Sequence, residues 1–254
     1  MGRALYTWPI ERVRAIPRRR QSFSMEPFLS AAELEALRHL ETCAVEDAIE
    51  TFDLRARNTG FASSEVQCIF DALPPVVGYA ATARMRSGER PMAGRSYHDR
   101  TDWWKSILSV PEPRIVVMQD LDEPPGVGAF LGDVHAAMLK ALGGVAFVTN
   151  GAVREVAAIR KLGLQVFAHN RALSHVYARI IDFGSPVMVG GLEVRPGDLL
   201  HGDGHGLLSV PRQIASAIPR VAAEQAERDR RVLAVCESAD FSVEKLRDAL
   251  KRLP

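Results

Sequence analysis

The sequence predicts an α/β fold with a β-rich portion and helical segments at both ends, on three observations. From residue 114 onward, short apolar runs rich in β-branched residues alternate with helical periodicities, the pattern of a parallel or mixed sheet with helices against a face. Residues 187–189 and 192–194 flank Gly190-Gly191, a hairpin signature. Ser30-Ala31-Ala32-Glu33 is a capping box that opens a helix near the N-terminus, and residues 242–251 form an amphipathic helix at the other end.

The elements follow in order. Leu34, Leu37 and Leu40 continue the first helix at helical spacing, and residues 41–52 give a second one with Cys43, Ala44, Ala48 and Ile49 on its apolar side. From Tyr79 the chain alternates, Ala81, Ala83 and Met85 against Thr82, Arg84 and Arg86, as a half-buried strand does. Residues 99–110 read as a helix packing through Trp103, Trp104 and Ile107. A strand at 114–119 leads into an acidic loop at 120–128, read as solvated, then a helix at 132–142. A buried strand at 145–149 is expected to end in an Asn150-Gly151 turn, with a helix at 154–162 and a strand at 165–168 behind it. After the hairpin, Pro196-Gly197-Asp198 turns the chain into strands at 199–201 and 207–210, and Pro211 opens a long helix to about Cys236.

Composition excludes several functions. The 254 residues carry 32 basic and 31 acidic side chains, so a formal charge of +1 gives no footprint for nucleic acid or an anionic membrane. No apolar run approaches the ~20 residues that span a bilayer, and no apolar core follows the first basic residues as in a secretory signal. Cys43, Cys68 and Cys236 are scattered, which fits a reducing, cytoplasmic setting. The charge is uneven: residues 1–24 hold six arginines against Glu11 alone, and the rest holds 26 basic and 30 acidic side chains. Residues 1–24 therefore read as a basic, disordered leader outside a single domain at 25–254.

Familiar catalytic motifs are missing. There is no phosphate loop and no nucleophile elbow, and Gly126-x-Gly128 has Leu131 where the dinucleotide fingerprint needs glycine. No lysine lies on a buried strand to serve as an amine catalyst. His201-Gly202-Asp203-Gly204-His205 has metal-type residues, yet its glycines favour a turn in which Asp203 bonds its own backbone.

Residues 132–155 are the informative segment. Gly132-Asp133-Val134-His135 enters a helix, whose free amides suit a small carboxylate. Arg154 and Glu155 lie just past a buried strand, where α/β sheets place ligand-binding groups. An arginine forks onto a carboxylate or enolate, and an acidic neighbour suits a hard divalent ion. An exposed ion pair at a helix start accounts for the same two residues equally well.

Gly132-Asp133, Gly144-Val145 and Thr149-Asn150-Gly151-Ala152-Val153-Arg154-Glu155 together resemble the RraA-like family. So do residues 187–191, Val194-Arg195-Pro196-Gly197-Asp198 and the turn Asp203-Gly204-His205-Gly206, along with Thr42 and Asp47-Ala48. That family includes class II pyruvate aldolases acting on 4-hydroxy-4-methyl-2-oxoglutarate and the regulator of ribonuclease activity A. The resemblance spans residues 30–211. It implies a three-layer β/β/α swivelling-type sandwich, assembled as a homotrimer or homohexamer with active sites between subunits. It further implies a small α-keto acid substrate bound by Arg154 and the amides of Gly132, Asp133, Val134 and His135. Asp133 would order a catalytic water, and Glu155 would hold Mg2+ or Mn2+ where the family usually has aspartate. The expected activity is a metal-dependent lyase cleaving a 4-hydroxy-2-oxo acid or decarboxylating oxaloacetate; the alternative is a regulator that binds an RNA-processing enzyme. His98, Asp99, Arg100, Thr101 and Asp102, with the two tryptophans, resemble a segment of a larger subgroup that could wall the substrate's variable end, although core packing of Trp103 and Trp104 is the simpler reading.

Overall fold

A computed structural model describes residues 25–91 and 101–251. The basic leader at 1–24 and His98, Asp99 and Arg100 lie outside these residues. In chain order the elements are α1 (Ala31–Arg38), α2 (Thr42–Glu50), β1 (Gln67–Cys68), β2 (Val76–Arg86), α3 (Thr101–Leu108), β3 (Arg114–Asp120), β4 (Ala129–Leu131), α4 (Asp133–Ala141), β5 (Gly144–Val153), α5 (Val156–Lys161), β6 (Gln165–Arg171), β7 (Arg179–Phe183), β8 (Val187–Val189), β9 (Leu192–Val194), β10 (Leu199–Asp203), β11 (Gly206–Val210), α6 (Ile218–Cys236) and α7 (Val243–Lys251).

Nine strands form one mixed sheet in the order β1-β6-β5-β3-β2-β10-β11, with β4 beside β5 and β7 beside β2. Its centre is parallel, β2 to β3 to β5 to β6. One face packs on the helices through Leu37, Ile49, Trp103, Ile107, Leu139, Ile159 and Ile218, and the other on the β8–β9 hairpin through Val187, Val189, Leu192 and Val194. Hairpin, sheet and helices make the three-layer β/β/α sandwich. The capping box at Ser30 is formed in both directions, and Gly190 and Gly191 have the positive φ that a two-residue hairpin turn requires.

Several expectations are corrected. The strand from Tyr79 is central, so its alternation divides two apolar cores: Ala81, Ala83 and Met85 pack on the helical side and Ala80 on the hairpin side. Cys43 is exposed, and Val45 takes its place on the buried face of α2. The long C-terminal helix begins at Ile218, not Pro211. Trp103 is buried and Trp104 packs partly against the same core, as the packing reading expected.

The main revision concerns Asn150-Gly151, which is a bulge inside β5 and not a turn. The β3–β5 register ends at Met118 opposite Thr149. There the Asn150 side chain substitutes for the missing backbone pairing, accepting from the Asp120 amide (2.7 Å) and donating to the Asp120 carbonyl (3.0 Å). A side chain at 151 would sit 2.9 Å from the Asp120 Cβ, so only glycine fits. The strand then runs on to Val153 and pairs with β4, a strand the sequence reading missed.

Candidate active site

Beyond the bulge, β5 delivers Arg154 and Glu155 to the N-terminus of α4. Leu131 lies opposite Val153, and the Arg154 amide donates to the Leu131 carbonyl (3.0 Å). Gly132 caps α4 in extended geometry, with no side-chain hydrogen bond. Glu155 caps α5 in the left-handed region, φ 55° and ψ 34°, a conformation uncommon outside glycine, asparagine and aspartate. That backbone reversal turns its carboxylate back toward α4.

The residues expected from the sequence meet here. Glu155 Oε2 accepts from the Asp133 amide (3.1 Å), and Oε1 accepts from Arg154 Nη2 (2.6 Å). The Asp133 amide first, and the Arg154 guanidinium after it, hold the Glu155 carboxyl below the usual glutamate value, against the opposing effect of burial. The Asp133 and Glu155 carboxyl groups also approach closely enough to interact. Asp133 Oδ1 accepts from the Val134 amide (2.6 Å). Two of the amides expected to be free for substrate therefore meet carboxylates of the protein itself. A Cβ on Gly132 would lie 2.5 Å from Glu155 Oε2, so only glycine leaves room for this arrangement. Arg154 Nε is buried without a partner among the described residues, a donor not used by the fold.

The surroundings were less visible in the sequence. Asp120 and Asp122, read as part of a solvated acidic loop, are buried. Asp122 Oδ2 accepts from the Ser87 amide (2.6 Å), the Ser87 hydroxyl (2.9 Å) and the Gly88 amide (2.6 Å). Burial opposes its ionisation, but these donors outweigh it and lower its pKa. Ser87 Oγ also accepts from the Gly128 amide (2.9 Å), and the Ser87 carbonyl accepts from the Tyr177 amide (3.2 Å). One buried serine thus ties residues 121–128 and 172–178 together beside β4. On α4, the His135 ring packs against Phe130 (centroids 4.8 Å apart, tilted 32°) and meets His175 edge-on (6.1 Å). No local motif marks Ser87 or His175, because Asp122 and Ala129, which their side chains bond, are 35 and 46 residues away.

The 201–205 segment holds one buried histidine, His201, and one largely exposed one, His205. Asp203 Oδ1 accepts from the His205 amide (2.8 Å), the expected turn, and its Oδ2 accepts from the Thr42 amide at the start of α2 (2.8 Å). His201 is buried between Leu37 and Thr42. Among the described residues, no three His, Cys, Asp or Glu side chains gather as an all-protein metal cage would require. A cleft of about 710 Å3 lies at the opposite end of the parallel strands, beside Tyr79 and Leu199. No helix among the described residues is long and apolar enough to cross a membrane.

Proteins of known sequence and structure share the fold. A protein of Halalkalibacterium halodurans, provisionally named a 4-hydroxy-4-methyl-2-oxoglutarate aldolase, is 25% identical over 198 residues, covering 71% of this chain and 89% of its own. A crystal structure from Pseudomonas syringae pv. tomato superposes with a TM-score of 0.67 at 20% identity, covering 88% of this chain and 94% of the other. Streptomyces coelicolor RraAS2, described as an unusual member of the RNase ES inhibitor RraA family, gives 0.61 at 21% identity, covering 79% and 96%. Residues 42–208 match the RraA-like family, described as Aldolase/RraA, and the chain belongs to that family.

Proposed function

We propose that the protein is a divalent-metal-dependent lyase that cleaves a 4-hydroxy-2-oxo acid to pyruvate, or decarboxylates oxaloacetate. The observation that carries this reading is the meeting of Arg154, Glu155 and Asp133 at the N-terminus of α4. The kinship with an aldolase-named relative supports it.

The residues fit a hard cation. Asp133 and Glu155 put two carboxylates at one helix end, and magnesium is commonly held by one or two carboxylates with the remaining positions left to water and substrate. Glu155 would be the direct ligand for Mg2+ or Mn2+. Such an ion supplies Lewis-acid stabilisation of the negative charge that develops on the keto oxygen.

The chain supplies the rest. The substrate carboxylate takes the α4 amides when Glu155 Oε2 releases the Asp133 N–H. Arg154 directs its unused Nε and its Nη groups at the keto-acid oxygens, preorganised for the enolate. A water held by Asp133 accepts the 4-hydroxyl proton as the C3–C4 bond breaks; its electron pair becomes the pyruvate enolate and the 4-carbon leaves as a carbonyl. Protonation at C3 releases pyruvate. Decarboxylation of oxaloacetate passes through the same enolate without that base.

Assembly as a homotrimer or homohexamer is part of the proposal. On a single chain Arg154 and Glu155 keep 27% and 35% of their side-chain surface, too open for strong electrostatic stabilisation. Val134 and Met138 on α4 and Leu173, the last 98% exposed, are apolar side chains open on the single chain, surface that a second copy would cover. The ligand expected here is a small anion rather than nucleic acid or membrane.

Purified protein should release pyruvate from such acids with Mg2+ or Mn2+, and Arg154→Ala should lower turnover about 10²–10³-fold, the usual loss for one oxyanion donor. Equal turnover by the two proteins would refute the assignment. The likeness to RraAS2 raises a second reading, a regulator of an RNA-processing enzyme. Stoichiometric capture of a ribonuclease together with no turnover of any oxo acid would establish that reading instead.

A further inference from the structure

We infer that His175 is a positioning residue for the α4 amides, acting through the ring of His135. The inference rests on the proposal that those amides receive the substrate carboxylate. His175 lies at 172–178, between β6 and β7, far from Asp133 in sequence and outside the motifs of the 132–155 segment. Its Nδ1 is 2.7 Å from the Ala129 carbonyl oxygen. A carbonyl only accepts, so Nδ1 carries a proton and donates it to this oxygen.

The backbone reinforces that hold. The Ala129 amide donates to the Ser174 carbonyl (3.0 Å), and the Ala178 amide donates to the His175 carbonyl (2.9 Å). Ser174 Oγ accepts from the Val176 amide (3.0 Å), and Val176 itself has φ 48°. A β-branched residue adopts that conformation only where its surroundings impose it. A Cβ on Gly128 would lie 2.7 Å from the His175 carbonyl oxygen, so this segment is packed tightly against the approach to β4.

The held ring then acts as a stop. It meets the His135 ring edge-on, with an interplanar angle of 82°. The His135 ring also packs against Phe130 at a tilt of 32°, and Phe130 is itself met edge-on by Trp103. His135 is the third residue of α4, and its backbone belongs to the turn whose amides meet Glu155 and Asp133. Phe130 and His175 therefore fix the rotation of that turn relative to Arg154. Misplacement of a binding group by about 1 Å can cost on the order of 10²-fold in rate.

Two substitutions separate ring contact from anchoring. His175→Asn keeps a donor for Ala129 and removes the ring; His175→Phe keeps a ring edge for His135 and removes the donor. Amide hydrogen exchange at Val134, His135 and Ala136 reads the turn without any turnover, and pyruvate release reads its consequence. In His175→Asn, exchange at these amides should quicken about tenfold and KM should rise about tenfold, with kcat changing less, the signature of lost substrate binding. His175→Phe should recover most of both effects. Unchanged exchange and KM in His175→Asn would overturn the inference, as would equal damage in the two variants, which a merely structural role predicts. If exchange responds as expected while the wild type turns over no oxo acid, the positioning role stands and the lyase reading fails.

Discussion

Ser87→Ala tests how the loops beside the candidate site are held. Ser87 is fully buried. Its hydroxyl donates to Asp122 Oδ2 (2.9 Å) and accepts from the Gly128 amide (2.9 Å). Alanine removes both bonds and leaves a buried N–H at Gly128 without its acceptor. A buried donor so orphaned costs about 1–3 kcal/mol. Asp122 keeps two amide donors on the same oxygen, so its loss is partial, and a total near 2 kcal/mol is expected. For a chain of this size each kcal/mol lowers Tm by about 2–4 °C, so thermal denaturation should show a fall of about 4–8 °C. Asp122→Asn retains an acceptor oxygen for the same three donors and should fall less. The damage should also reach the site, because Gly128 leads into β4 and the Leu131 carbonyl of β4 holds the Arg154 amide. Pyruvate release should therefore weaken below the melting range. A Tm for Ser87→Ala within about 1 °C of wild type would refute the assigned hydrogen bonds.

Three other outcomes follow from the geometry. Gly132→Ala leaves an extended backbone any residue adopts, but its Cβ must displace Glu155 Oε2; the variant should fold with little change in Tm and lose pyruvate release, and full activity would place Glu155 elsewhere. Chelation with EDTA should abolish turnover and added Mg2+ or Mn2+ restore it; turnover indifferent to chelator would remove Glu155 as a metal ligand. Burial holds His201 below its ordinary pKa near 6.5, against the opposing effects of the Leu37 carbonyl and Asp203. The unfolded chain then binds the proton more readily, so this contribution to stability is complete above pH 6.5 and declines as pH falls below it. Urea titrations at pH 7.5 and 5.5 should show a smaller acid loss in His201→Gln than in wild type; equal losses would show that His201 does not titrate across unfolding.

Much of this fold was legible because its cues are local. The Ser30–Glu33 capping box, the Gly190-Gly191 hairpin and the packing face of Trp103 and Ile107 depend on residues a few positions apart. The errors share a physical origin: each depends on a distant neighbour. The strand from Tyr79 alternates as a half-buried strand would, and only the hairpin layer, more than a hundred residues later, covers its second side. Asn150-Gly151 carries a turn signature, but Asp120 offers Asn150 a backbone to pair with. Asp122 reads as a solvated carboxylate because its donors, Ser87 and Gly88, come from the far end of β2. Within the site, the residues at 132–135 and 154–155 were legible as an ordered motif. That the Glu155 carboxylate reaches back to the Asp133 amide was not, since it follows from one backbone angle.

The cluster at the start of α4 forms because a strand bulge, a strand pairing and a left-handed residue agree. Without the bulge at Asn150-Gly151, β5 would stay in register with β3, and its end would not be free to pair with β4. That pairing sets Leu131 opposite Val153 and so puts Gly132 next to Arg154 and Glu155 in space despite more than twenty residues of intervening chain. The left-handed conformation at Glu155 then returns the carboxylate toward α4 at the moment the chain begins α5, and a side chain at 132 would block it. A structural ion pair needs none of this: an arginine and a glutamate can pair across any exposed helix turn. Here an uncommon φ brings a carboxylate and a guanidinium to a helix N-terminus, and Arg154 Nε is buried without a partner among the described residues. A strained backbone beside a buried donor without a partner among the described residues is expected where a protein holds binding groups ready for a ligand, and that is the physical ground of the proposed anion site, against a surface salt bridge.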